Sequence, residues 1–146
     1  TGRSTTGKIP PMIEFSLPIR VYYEDTDAGG IVYYANYLKY LERARTEFLR
    51  SLGIEQDELE KEENIIFAVH NMTIDYLKPA FFNEMLNVSA IIAEMRKASI
   101  YFHQAVSNQQ KEILCKAQVK IACIHSKTLK PVSLPVFLTK ELGNVA

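Results

Sequence analysis

Between Ile65 and His125 the chain carries four β-patterned segments in succession, 65–77, 84–95, 97–108 and 112–125, parted by short breaks at KPAFFN, MRKAS and SNQQKE. Breaks that short leave no room for crossover helices, so the strands must turn back on one another as antiparallel neighbours. One other segment has a strong helical period. From Tyr34 to Leu52 the apolar residues Tyr37, Leu38, Tyr40, Leu41, Ala44, Phe48, Leu49 and Leu52 recur at steps of three and four, and Gly53 follows as a natural helix stop. Before it, FSLPIRVYYE alternates Leu17, Ile19, Val21 and Tyr23 against Pro18, Arg20 and Tyr22, the pattern of a first strand. A single long helix with a wide apolar face can bury it only against the sheet, which makes the fold class α+β.

At 146 residues and 16.7 kDa the chain is long enough for one domain with its own core. Residues 12–146 are read as that domain. The preceding TGRSTTGKIPP, residues 1–11, is polar and patternless and is read as an added or disordered leader. IEQDELEKEEN, 54–64, is acidic enough to be a short solvated helix and its loop. Seventeen basic residues balance seventeen acidic ones, so nothing in the charge points to a nucleic-acid partner. With no apolar run of spanning length and no secretion-type leader, no membrane span is expected and the reading is a cytoplasmic protein. Cys115 and Cys123 share one parity of a strand, eight residues and so about 26 Å apart, which forbids a bridge between them and fits a reducing compartment. Neither has ligand-spaced companions for zinc. A five-stranded sheet leaves open edges, and a homo-oligomer that pairs two sheets removes one of them.

The stretch that asks for chemistry is EDTDAGG, where Glu24, Asp25 and Asp27 crowd the junction between first strand and helix. Asp and Thr there can cap a helix and the glycines can turn the chain, a purely structural reading. DTDAGG also starts like a calcium loop, but Gly29 and Asn36 stand where two oxygen donors are needed. A third reading is catalytic: a carboxylate at a strand end faces the amide donors of a helix N-terminus, which can hold a developing oxyanion while Asp27 attacks a carbonyl or activates water. No G-x-S-x-G elbow or P-loop is present, and His70, His103 and His125 lie in or at strands with no diagnostic nucleophile beside them.

The run from Arg20-Val21 through Thr26-Asp27, Gly30-Ile31-Val32, Tyr34 and Tyr37 resembles the signature of the 4-hydroxybenzoyl-CoA thioesterase family. YYEDTDAGGIVYYANYLKYLERARTEFLRSLGI, NMTIDYLKPAFFNEML, MRKASIYF and TLKPVSLP are similar to its YbgC-type acyl-CoA thioesterase branch. That resemblance implies a hotdog fold, a long central helix wrapped by a five- to six-stranded antiparallel sheet, dimerised edge to edge and often paired again into a homotetramer. It implies hydrolysis of an acyl-CoA thioester without a cofactor, coenzyme A being part of the substrate. Asp27 matches the catalytic carboxylate, acting as nucleophile or general base, and the backbone amide of Tyr34 matches the donor that polarises the carbonyl. Several YbgC-type members carry histidine where Tyr34 stands, and other members carry tyrosine. Gly30 falls in the substrate-binding turn; Arg96, Lys97, Lys116 and Lys127 are the basic candidates for the CoA phosphates. A non-catalytic module that binds acyl-CoA or acyl carrier protein on the same fold is the competing reading.

Overall fold

The computed structural model describes residues 14–143; the expected leader, residues 1–11, lies outside them. Five strands form one antiparallel sheet: β1 (Glu14–Arg20), β2 (Ile65–Tyr76), β3 (Met85–Arg96), β4 (Ser99–Ser107) and β5 (Ile113–His125), in the spatial order β1-β3-β4-β5-β2. The helix α1 (Asn36–Ser51) crosses one face, and the shorter α2 (Gln56–Glu63) leads into β2. This is the hotdog arrangement. The meander β3-β4-β5 follows from the turns MRKAS and SNQQKE, but the neighbours expected across KPAFFN are not found: β2 does not pair with β3 and instead takes the far edge beside β5, with Ile65 paired to His125 and Tyr76 to Cys115, because the 77–84 segment carries the chain across the sheet rather than back along it.

α1 buries Tyr37, Tyr40, Leu41, Ala44, Phe48 and Leu49 on β1, β3 and β4. Phe48 stacks on Phe15 at 5.5 Å and meets Phe102 edge-on at 6.3 Å. Burying a side chain of that size contributes roughly 1.5–3 kcal/mol, so this stripe holds the helix to the sheet. The helix closes in a Schellman motif: Gly53 has φ +89°, its N–H donates to the Arg50 carbonyl at 2.9 Å and the Ile54 N–H to the Leu49 carbonyl at 3.0 Å. The buried Ile54 and Leu59 anchor the otherwise acidic α2 segment.

Several expectations are corrected. The first strand stops at Arg20; Tyr23 belongs to a 3₁₀ turn, Tyr23–Asp25, and is 79% exposed, because the Asp25 carboxylate accepts the Tyr22 N–H at 2.9 Å and turns the chain there. Pro18 sits inside β1, which an edge strand tolerates because its outer side needs no donor. Leu38 is 42% exposed although it belongs to the apolar period. The tail holds a further helix, α3 (Val136–Gly143), fastened by buried Leu134 and Leu138.

α1 does not cover the sheet evenly. Phe67, Met72 and Ile74 on the helix-facing side of β2 are only half-buried, and Val69 and Tyr76 on that side are exposed. A shallow trough therefore runs between α1 and β2.

Candidate active site

Asp27 stands on a small hairpin. Thr26 bridges to Val32, the Asp27 N–H donates to the Ile31 carbonyl at 3.0 Å and the Gly30 N–H to the Asp27 carbonyl at 3.0 Å. This is a type I turn closed by a glycine bulge, and Gly30, at φ +74°, fills the left-handed position such a loop requires. The Gly29 N–H donates to Asp27 Oδ1 at 3.2 Å, which orients the carboxylate while leaving the side chain exposed. The hairpin is stitched to the 80–84 loop by Phe82 N–H to the Gly30 carbonyl at 3.0 Å and Val32 N–H to the Ala80 carbonyl at 2.9 Å.

Asp25 ties the hairpin to the helix. Its carbonyl accepts the Tyr33 N–H at 3.0 Å and the Asn36 side-chain amide at 2.8 Å, so the acid that looked like a neighbour in charge is a structural joint. α1 begins at Asn36, after an entering turn in which the Asn36 N–H donates to the Tyr33 carbonyl at 2.8 Å and the Tyr37 N–H to the Tyr34 carbonyl at 3.2 Å. Among the described residues the Tyr34 and Ala35 N–H groups donate no hydrogen bond. They sit at the positive end of a sixteen-residue helix, where free amides bind negative charge.

Aromatic rings surround that tip. Tyr34 packs on Tyr33 at 4.8 Å and on Tyr76 at 5.8 Å, Tyr76 meets Tyr37 at 5.6 Å, and the Tyr37 hydroxyl accepts the Ala80 N–H at 3.1 Å. Burial raises the Tyr37 phenol above its ordinary pKa, opposed by that amide. Tyr40 is raised further, first by burial and then by the Asp25 carboxylate, which favours the protonated phenol; its buried oxygen makes no regular hydrogen bond among the described residues.

Of the sequence-predicted site residues, the fold brings Asp27, Gly30 and Tyr34 together. Lys116 lies at the same end of the sheet, paired in register with Asp75, but on the face turned away from α1, since it alternates with the buried Cys115 and Ala117. Arg96, Lys97 and Lys127 lie at the opposite end, where β3 finishes and β5 finishes. The twelve residues of β3 span about 36 Å, so within one protomer these three stand far from Asp27. Arg96 there pairs with Glu94 at 2.6 Å and covers the Tyr101 ring at 5.2 Å. Among the described residues no histidine joins the hairpin: His103 faces away from α1 beside Gln118, His70 sits at the β2 bulge, and His125 Nδ1 accepts the Lys127 N–H at 3.1 Å.

The sequence reading missed Arg45, which is only 7% exposed. Its Nη1 donates to Gln104 Oε1 at 2.9 Å, and Gln104, buried too, donates to the Leu41 carbonyl at 3.0 Å. Burial lowers the Arg45 pKa, partly offset by Glu42. A helical wheel offered the signal: Arg45 lies seven residues, about two turns, past Leu38, on the flank of the apolar stripe.

Residues 21–142 match the family model described as the thioesterase-like superfamily. The chain is 46% identical over 121 residues to the acyl-CoA thioesterase YbgC of Haemophilus influenzae, covering 83% of this chain and 88% of that one. It is 42% identical over 127 residues to the acyl-CoA thioester hydrolase YbgC of Escherichia coli, covering 87% and 94%. Among solved structures, the DHNA-CoA thioesterase from Staphylococcus aureus superposes with a TM-score of 0.83 at 25% identity, covering 91% of this chain and 90% of that one.

Proposed function

The chain belongs to the thioesterase-like superfamily and is an acyl-CoA thioesterase, and we propose that it cleaves its substrate with Asp27 as the working carboxylate and the Tyr34 amide as the oxyanion donor. The observation that carries this reading is the pairing of an exposed, amide-oriented Asp27 with an N–H at the α1 tip that no other group among the described residues claims. A thioester carbonyl seated on the Tyr34 amide becomes more electrophilic, because the developing negative oxygen meets both a donor and the helix dipole. Attack on the carbonyl carbon breaks the C–S bond, the CoA thiolate takes up a proton, and the acyl group leaves as a carboxylic acid. The attacking oxygen belongs to Asp27, giving an anhydride that water then opens, or to a water that Asp27 deprotonates. A single turnover in ¹⁸O-water identifies the first route when water opens the anhydride at the aspartyl carbonyl, because label then enters Asp27, which the second route never labels.

The same reading includes a homodimer paired along β2. That strand is a twelve-residue edge with exposed Val69 and, just past its end, Leu77, a surface that an unpaired chain leaves liable to association. Antiparallel pairing of two β2 strands brings the far end of one sheet beside the near end of the other. The partner's Arg96, Lys97 and Lys127 then stand at this protomer's Asp27 end, where the CoA phosphates need cations. Two such dimers forming a tetramer, one domain over residues 12–146, and a cytoplasmic setting for its two free buried thiols complete the proposal. The chemistry calls for no cofactor.

A panel of acyl-CoAs from short aliphatic through aromatic to long-chain, with acyl carrier protein esters beside them, tests the activity through release of free thiol. Turnover of any of them supports hydrolysis. Tight binding with no turnover across the panel identifies a non-catalytic binding module instead.

A further inference from the structure

The trough between α1 and β2 has a polar end. Leu38 and Arg45 fall within about a 20° arc of α1 at about 100° per residue, so one line along the helix runs from the entering turn that holds the Tyr34 amide past an exposed leucine to the buried Arg45. Tyr76, Ile74, Met72 and Val69 form the facing wall on β2, with the Tyr34–Tyr76 ring contact closing it at the Asp27 end. At the other end lies a cavity of about 190 Å³, whose lining includes Glu42, Arg45, Thr46, Gln56, Phe67 and Val69. Arg45 has five N–H donors and, among the described residues, places one hydrogen bond, on a neutral amide. An arginine only 7% exposed as a residue, with no carboxylate bonded to it among the described residues, is an expensive arrangement unless something else accepts its protons. Glu42 does not serve: its carboxylate is exposed and takes the Thr46 hydroxyl.

We propose that this cavity receives the far end of the acyl group and that Arg45, with Gln56 beside it, selects acyl chains ending in an oxygen acceptor, a carboxylate or a hydroxyl. The inference rests on the thioesterase reading, because it places the thioester at Tyr34. Arg45 lies eleven positions after Tyr34, an advance of about 16 Å at the helical rise, roughly the length of a twelve-carbon extended chain. The walls between the two ends are apolar, so the chain's middle is plain hydrocarbon. An acceptor meeting the buried guanidinium gains the strength of a charged hydrogen bond, which corresponds to a preference of about tenfold or more.

The test compares dodecanoyl-CoA, 12-hydroxydodecanoyl-CoA and the ω-carboxyl ester dodecanedioyl-CoA on the wild-type homo-oligomer, reading kcat/KM by thiol release and Kd by calorimetry. The expected result is a tenfold or greater advantage for at least one oxygenated ester over dodecanoyl-CoA, the two arms telling carboxylate from hydroxyl. Arg45→Met, which exchanges a buried cation for a side chain of similar length, is expected to erase that ratio. Equal values for the three esters, a preference for the plain chain, or a ratio that survives in Arg45→Met overturns the proposal. Hydrolysis of all three without preference refutes the Arg45 pocket and leaves the thioesterase standing. Hydrolysis of no CoA ester refutes the thioesterase, and the Kd ratio still decides the pocket.

Discussion

Among the described residues two glycines have positive φ and open space around them, and only one closes the loop of the proposed catalytic acid. Gly30 has φ +74° and Gly53 has φ +89°, and a Cβ added at either would meet nothing within 4 Å. Alanine at each position is therefore penalised by its backbone alone, at about 1 kcal/mol net of the entropy alanine removes from the unfolded chain. With an unfolding entropy of about 2.1 cal/mol/K per residue over 146 residues, that lowers Tm by about 3 °C. Their effects on catalysis should part company. Gly30 closes the loop whose Asp27 carboxylate is held by the Gly29 amide, so relaxing it toward negative φ re-aims the acid, and a displacement of an ångström is worth about a hundredfold in rate. Gly53 ends α1 far from the tip. Scanning calorimetry at fixed protein concentration, with kcat/KM on one acyl-CoA, should show similar Tm losses for Gly30→Ala and Gly53→Ala but a loss of activity for Gly30→Ala alone. Gly30→Asn should recover most of both, since asparagine tolerates the left-handed region. Equal activity in the two alanine variants would refute the argument that this bulge aims Asp27.

Tyr40→Phe removes a buried hydroxyl that makes no regular hydrogen bond among the described residues, so its unfolding free energy, read from urea denaturation, should move by less than about 1 kcal/mol in either direction, where a bonded tyrosine would lose more. Cross-protomer phosphate binding predicts complementation: mixing an Asp27→Asn chain with an Arg96→Ala/Lys97→Ala chain, each nearly inactive alone, should restore about a quarter of wild-type activity, because half the dimers are mixed and each then holds one intact site; no recovery would place the phosphate contacts elsewhere. Burial pushes the Cys115 thiol up to about 12 and the Cys123 thiol up to about 11. The unfolded chain loses those protons from about pH 8.5 while the folded chain keeps them, so stability should fall as pH rises from there to about 11–12, by at most about 1.4 kcal/mol per pH unit for each thiol. Urea denaturation at pH 8 and pH 10 checks this, and Cys115→Ala should lessen the slope.

The four strands β2 to β5 and α1 were legible as elements because each has a strong period and a clear stop: Gly53 ends the helix where its φ requires glycine, and the β boundaries fall within two residues of the pattern, although the placing of β2 beside β5 rather than β3 was not. Tyr23 was misread because alternation continues past Arg20, while a local bond from Tyr22 to Asp25 decides the backbone there. α3 was hidden by the prolines around it, although Pro135 just before a helix start is itself a start signal. The hairpin of Asp27 and the tip at Tyr34 were readable because both lie in one continuous segment. The placement of Arg96, Lys97 and Lys127 was not, since it depends on strand length and register across the sheet. Arg45 was overlooked for a related reason: an arginine on a helix flank is solvated by default, and only the partial cover that α1 gives β2 turns it inward toward a cavity.

The most direct measurement is the rate of acyl-CoA hydrolysis by Asp27→Asn, paired with its Tm. Asparagine keeps the size of the side chain and the oxygen that accepts the Gly29 amide, so the hairpin should hold and Tm should stay within about 2 °C of wild type. Removing the carboxylate should cut kcat by at least about a hundredfold while acyl-CoA still binds. A variant that folds and turns over at the wild-type rate would contradict the assignment of the chemistry to Asp27.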